Sequence, residues 1–274
     1  MKIGLKILLV IQFILLCFTF CANAQIENTR MGNVTLDQDL LIGEEFIYLV
    51  KYAFINLGEI KIKVYKKDKF ENKPIYKAIA HINSYEGLPF VNIHQIYESW
   101  FDTTLHPVYF QAYIFNDDDT SYTKYYFLGK DRVHIIRGKT NQKKPTIDTV
   151  KILHKQYQDG LSLLFFARYN PEGGDQSTIP CFINEDTSTT IINYYSEKES
   201  ISIDAIESEI ECFKIDGETN FTGIFGLTGF FEGWFSDDKF KLPISANLQV
   251  IIGDISVELM EWNNNKWQPP LHRE

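Results

Sequence analysis

Cysteine is scarce in this chain. Of four in 274 residues, two (Cys17 and Cys21) fall within the first 24. That excludes a disulfide-built scaffold. The separation of Cys181 and Cys212 also fits neither a CxxC redox pair nor a zinc knuckle. Basic charge is in deficit. Lys and Arg total 27 against 36 Asp and Glu, giving a formal net charge of −9. A nucleic-acid binder would carry a basic patch or stripe instead, so no nucleic-acid partner is expected. Histidines in HxH, HxxxH or HExxH spacing are absent, as are GxSxG, the P-loop and GxGxxG, so neither a metal nor a cofactor is expected. Asp117-Asp118-Asp119 lacks the central Gly and distal Glu of a calcium loop and reads as a hairpin tip. No Gly/Ser/Pro linker or repeat divides the body, which reads as one domain over residues 42–264, between a polar lead-in (25–41) and a polar tail (265–274).

What is present begins with an export segment. Lys2 and Lys6 precede an apolar run from Ile7 to Phe20, and Ala22-Asn23-Ala24 follows as a small-x-small cleavage site. The run is short for a spanning helix, and no later stretch is long and apolar enough to span. Residues 1–24 therefore read as a signal peptide cleaved after Ala24, sending the protein to the periplasm or outside the cell. Losing two lysines and no acid takes the formal charge from −9 to −11. In that oxidising compartment Cys181 and Cys212, both in register with apolar neighbours, are either two buried thiols or one disulfide.

The apolar residues of the body repeat with period two. Ile60, Ile62 and Val64 alternate with Lys61 and Lys63, and Ile206 and Ile210 with Glu207, Glu209 and Glu211. One buried and one wet face is the signature of an antiparallel strand. Turn residues at Asn56–Gly58, Asp102–Pro107, Asn116–Ser121 and Gly129–Asp131 space these runs as hairpins. One short helix is expected over about 157–170, opened by Asp159-Gly160 and closed by Arg168 before Pro171. The fold expected is mainly β: one curled antiparallel sheet or open β-barrel-like meander with that helix packed on it.

The segment Phe221–Leu259 is the most distinctive. Gly223, Gly226, Gly229 and Gly233 punctuate an aromatic stretch, followed by Trp234-Phe235-Ser236-Asp237-Asp238 and Lys241-Leu242-Pro243. Geometry alone accounts for it: spaced Gly marks bends, and Pro243 suits a strand start. As a binding feature the same segment is a pocket lip, with Trp234 as a flat contact and Asp237 and Asp238 accepting from ligand hydroxyls.

These residues resemble the DUF3108 family. Trp234–Asp238 with Lys241–Pro243 and Gly253-Asp254-Ile255 looks like its C-terminal signature. Gly43-Glu44 through Tyr52 and Gly58 looks like its opening hairpin, Asp102–Pro107 like its mid-chain turn, and Asp159–Ser162 through Arg168 like its helix. Lys51 and Ala53-Phe54 depart from the smaller, Gly-richer opening strand of many members. The Ile-, Lys-, Asn-, Phe- and Tyr-rich composition resembles that of Bacteroidota members. The resemblance implies an exported bacterial envelope protein of unknown activity, with Gly58, Asp159, Arg168 and Pro243 as structural residues. It also implies a kinship of shape with the unclosed β-barrels of lipoprotein carriers.

Two functions follow. One is a non-enzymatic binding or carrier module for an apolar or envelope-derived ligand, a lipid or glycan, held inside the curled sheet among its many aromatic rings. The other is an enzyme acting on envelope polymers through carboxylates such as Glu98, Asp159, Asp237 and Asp238, two of which would have to face each other across a groove. A structural partner of envelope machinery is a third reading, recognisable by a large exposed apolar patch.

Overall fold

The computed structural model describes residues 42–89, 91–169, 176–223, 226–251, 253–263 and 267–271. The export segment, the lead-in 25–41 and the loop Pro171–Gly174 lie outside these residues. So does the tail 265–274 apart from 267–271.

Strict alternation decides which way each strand faces. In β2 (Ile55–Phe70), Ile60, Ile62 and Val64 are buried, while Lys61 and Lys63 face outward and share the Glu45 carboxylate at 2.7 Å each. β1 (Glu45–Tyr52) buries Phe46, Tyr48 and Val50 in the same sense. An apolar inward row behind a charged outward row is the reverse of a membrane-spanning barrel, whose lipid-facing side is the apolar one.

From β1 the chain meanders in one direction through β2, β3 (Lys73–Ser84), β4 (His94–Asp102), β5 (Pro107–Phe115), β6 (Thr120–Leu128), β7 (Arg132–Lys139) and β8 (Ile147–Ile152). It then passes through a helix, α1 (Ser162–Tyr169), to the other edge. From there it meanders back through β9 (Gln176–Ile183), β10 (Asp186–Ile203), β11 (Ile206–Thr219), β12 (Leu227–Ser236), β13 (Pro243–Val250) and β14 (Gly253–Asn263). β14 pairs with β1, so the first and last strands meet in the middle of one fourteen-stranded antiparallel sheet.

The sheet is not closed by strand pairing. Its two edge regions meet through side chains: the Phe182 ring stands 5.0 Å from Tyr125, Arg137 pairs with Glu185 at 3.0 Å, and the Glu185 amide donates to the Tyr125 hydroxyl. β10 and β11 overshoot their neighbours, and their shared turn lies on the outer face. There Lys51 holds Asp204 at 2.9 Å, and the Asp204 amide donates to Glu258.

Three expectations shift. The spacing puts the first turn at Asn56–Gly58, but the chain turns at Ala53-Phe54, with Ala53 at φ 50°. Asn56–Gly58 is instead strand, with Leu57 as the extra residue of a bulge between Lys51 and Val50. A Cβ on Gly58 would lie 2.1 Å from the Asn83 carbonyl oxygen, so glycine serves close strand approach there rather than a turn. The helix is shorter than 157–170, because Gln158 is held in a bridge to Cys181 of β9. The polar tail includes a docked stretch: Trp267 is buried against Trp262, and Leu271 bridges to Ile210.

The disulfide alternative is corrected by register. Cys181 pairs opposite Ser188 and Cys212 opposite Glu199, eleven residues further along β10. That is on the order of 30 Å along the strand, far beyond what a disulfide spans. Both thiols are free and buried.

Candidate functional site

The helix start is built from Asp159. Its Oδ1 accepts from the amides of Leu161 (2.8 Å) and Ser162 (2.7 Å), and its Oδ2 from the Ser99 hydroxyl of β4 (2.6 Å). The Ser162 hydroxyl accepts from the Asp159 amide in return, a reciprocal cap. Burial raises the Asp159 carboxyl to about 6, against the pull of those donors.

The helix end is built from Arg168. Its Nη1 and Nη2 grip the Glu44 carboxylate at 2.5 and 3.0 Å, and Nε donates to the Phe240 and Lys241 carbonyls. Both side chains are buried. Burial pushes the Glu44 carboxyl up, with the guanidinium opposing; burial pulls the Arg168 guanidinium down, but Glu44 together with Tyr169 and Tyr48 holds it above its ordinary value. The helix is thus pinned at one end to β4 and at the other to the segment before β1 and the β12–β13 turn.

Aromatic rings pack closely through one half of the interior. Phe101 and Phe165 stand 5.0 Å apart, Phe110 stacks on Tyr125 at 5.3 Å, and Phe127 meets Phe182, packing α1 and β9 against β4–β6. The other half holds a cavity of about 170 Å³. Its walls are Tyr48, Ile60, Ile62, Ile192, Ile215, Phe231, Phe235, Leu248 and Val257, and its floor is Leu163, Leu164 and Ala167 of α1.

Polar atoms on this wall already have partners. The Tyr48 hydroxyl donates to the Pro243 carbonyl, and Thr219 donates to the Phe221 carbonyl. The Glu232 carboxylate bonds Lys214 and Asn247 at 2.8 Å each. A second cavity of about 340 Å³ lies one inward-facing position further along the same strands. There Val50 follows Tyr48, Val250 follows Leu248, Ile255 precedes Val257, and Ile60 lines both. A cavity near 150 Å³ is enough for benzene, so the inner one suits one ring or the end of an alkyl chain.

The expected lip residues sit elsewhere. Trp234 alternates with the inward Gly233 and Phe235, and its indole donates to Glu199 under the Lys214 ammonium. Asp237 pairs with Lys198. Asp238 holds the β12–β13 turn, accepting from Ser236, the Phe240 amide and the Trp267 indole. None of the three lines either cavity.

Glu98 is on the wall's outer face, opposite its neighbour Ser99, where it accepts from Tyr65, Trp100 (2.6 Å) and Gln111. Asp159 is inside. Glu98, Asp159, Asp237 and Asp238 therefore share no groove, and the carboxylate pair of the enzymatic reading does not form. Among the described residues no His/Cys/Asp/Glu cluster could hold a metal ion. The lining residues Leu163, Leu164 and Phe231 escaped the sequence reading. Their signals are a helix apolar all round and a glycine, Gly233, midway between two inward rings.

The family model described as "Protein of unknown function (DUF3108)" matches residues 47–260. No curated protein matches the chain. Among solved structures it is similar to a β-barrel-like protein of a domain of unknown function, DUF1849, from Brucella abortus. The TM-score is 0.52 at 8% identity, over 83% of this chain and 99% of that one. A protein from Parabacteroides distasonis, provisionally assigned as a lipoprotein, scores 0.35 at 9% identity, over 82% and 96%. The first likeness is one of fold alone.

Proposed function

The chain belongs to the DUF3108 family, and we propose that this member is an exported, non-enzymatic binding or carrier module for an apolar ligand of the cell envelope. The observation that carries this reading is the hydrocarbon-lined cavity between α1 and β1, β2 and β10–β14. The export segment read at residues 1–24 supports the compartment, and the two cavities support the role, since well-packed interiors leave few voids larger than a water molecule.

The lining favours a lipid over a glycan. Sugar hydroxyls need polar groups aimed at them, whereas Tyr48, Thr219 and Glu232 already have partners within the protein. An alkyl chain would place its end among Leu163, Leu164 and Phe231 and leave through the second cavity past Val50 and Val250.

Native mass spectrometry of protein purified without detergent from its own source tests the reading. A bound single-chain amphiphile is the expected result. A ligand-free mass, together with failure to take up any of a series of fatty acids, would overturn it.

A further inference from the structure

The turns at the two ends of the sheet differ in chemistry. At the α1 end they are polar: Glu71-Asn72, Thr103-Thr104, Gly129-Lys130-Asp131 and Asp237-Asp238-Lys239. At the opposite end, three hairpins that are neighbours in the sheet carry apolar residues into water. Phe54 is fully exposed (103%) in the β1–β2 turn, and Ile251 is 81% exposed in the β13–β14 turn. Ile55 and Ile93 extend the same edge. β1 and β14 are paired, so the two tips stand side by side.

Turn formation needs none of this. Turns favour Gly, Asn, Asp and Ser, and the β5–β6 turn at this end follows that rule with Asn116–Asp119. The two most exposed of the large apolar side chains among the described residues, Phe54 and Ile251, sit on hairpins beside the outer cavity, and Ile93 and Ile251 line it.

We propose that this rim docks on a zwitterionic lipid surface, with Phe54 and Ile251 entering the hydrocarbon and the outer cavity facing the bilayer. Three observations select lipid over a folded partner or a second copy. Phe54 is packed against nothing of its own chain, which suits a fluid medium better than a preformed groove. Tyr52 and Tyr85 flank the tips at partial exposure, the place such side chains take at a membrane interface. The charges beside the tips, exposed Asp254 and Glu86, are acidic, and Lys51 is committed to Asp204 and Glu258. That balance repels an anionic surface and leaves an uncharged or zwitterionic one. Two tips give weak, reversible binding, of the order of the ~10⁴ M⁻¹ reached by one myristoyl chain. The docking goes beyond the ligand reading and stands or falls without it.

Flotation with phosphatidylcholine vesicles tests it, comparing the full mature chain with the double variant Phe54→Ser/Ile251→Ser. Wild type should float, less well when phosphatidylglycerol is added, and the variant should lose at least tenfold in partitioning. A Phe54→Trp variant should show blue-shifted emission quenched by brominated lipid. Phe54→Ser alone, at a residue that lines neither cavity, should also float less well while its thermal unfolding and its uptake of N-phenyl-1-naphthylamine from water stay unchanged, which separates lost docking from a lost cavity. Failure of wild type to float, equal flotation of the variant, or preference for anionic vesicles would overturn the proposal. So would self-association in water that the double substitution abolishes, since a second copy would then be the occupant.

Discussion

Arg168 and Glu44, 124 residues apart in the chain, form a buried two-pronged ion pair that ties the only helix among the described residues to the chain just before β1. The guanidinium also satisfies the Phe240 and Lys241 carbonyls, so one side chain joins helix, first strand and the β12–β13 turn. This clamp fixes the floor of the inner cavity, because Leu163, Leu164 and Ala167 lie within the same two turns of helix.

Breaking the clamp from one side strands a buried charge. Glu44→Gln or Arg168→Met should each cost about 3–5 kcal/mol in urea unfolding, and Glu44→Leu/Arg168→Met should cost less than the sum of its single substitutions. Additive losses would mean that the two groups do not act as a pair.

Asp159 gives stability a pH dependence of definite sign. Its folded-state value of about 6 lies above its ordinary 3.8, so the folded protein holds this proton more tightly than the unfolded chain. The contribution is complete below about pH 4 and is lost as pH rises through about 6. Asn keeps the cap but does not titrate. The stability of wild type relative to Asp159→Asn should therefore fall between pH 4 and 7, by at most about 3 kcal/mol. A difference that rises with pH would show the carboxylate to be the favoured form.

The two thiols should be inert while the protein is folded. Burial raises both Cys181 and Cys212 to about 12, leaving almost no thiolate at neutral pH. Mass spectrometry after alkylation should find no label on native protein and two labels after denaturation without reductant. A single disulfide would leave none in either state.

Two glycines should respond oppositely to alanine. A Cβ on Gly217 would lie 2.1 Å from the Ile191 carbonyl oxygen and 2.6 Å from the Phe231 ring, so Gly217→Ala should cost roughly 1–3 kcal/mol. A Cβ on Gly233 meets nothing closer than 3.7 Å, so Gly233→Ala should be neutral or stabilise by up to about 1 kcal/mol. Equal losses at both would contradict the packing described.

The antiparallel meander was legible because Ile60, Ile62 and Val64 against Lys61 and Lys63 admit only one wet and one dry face. Asp159 and Arg168 were legible as helix ends because capping chemistry is local. The first turn was misplaced because Gly58 serves a bulge and close strand approach, and only the neighbouring strand reveals that. Trp234, Asp237 and Asp238 drew attention by their chemistry, yet one alternates to the outer face and the others hold a turn. The site itself is a gap between Leu163 of α1 and the β12–β13 hairpin that carries Gly233 and Leu248, far along the chain from the helix. No local pattern records that the interior is filled between α1 and β4–β6 but leaves a cavity beside β12.

The account stands on the inner cavity being a binding site, and the direct test is to fill it. Gly233→Leu projects its side chain between Ile215 and Phe235 into that space. Titration with N-phenyl-1-naphthylamine, read by fluorescence, should show saturable binding to wild type. The variant should bind at least tenfold more weakly while unfolding at the same or a higher temperature. Undiminished binding by a folded Gly233→Leu protein would contradict the account and place the ligand elsewhere.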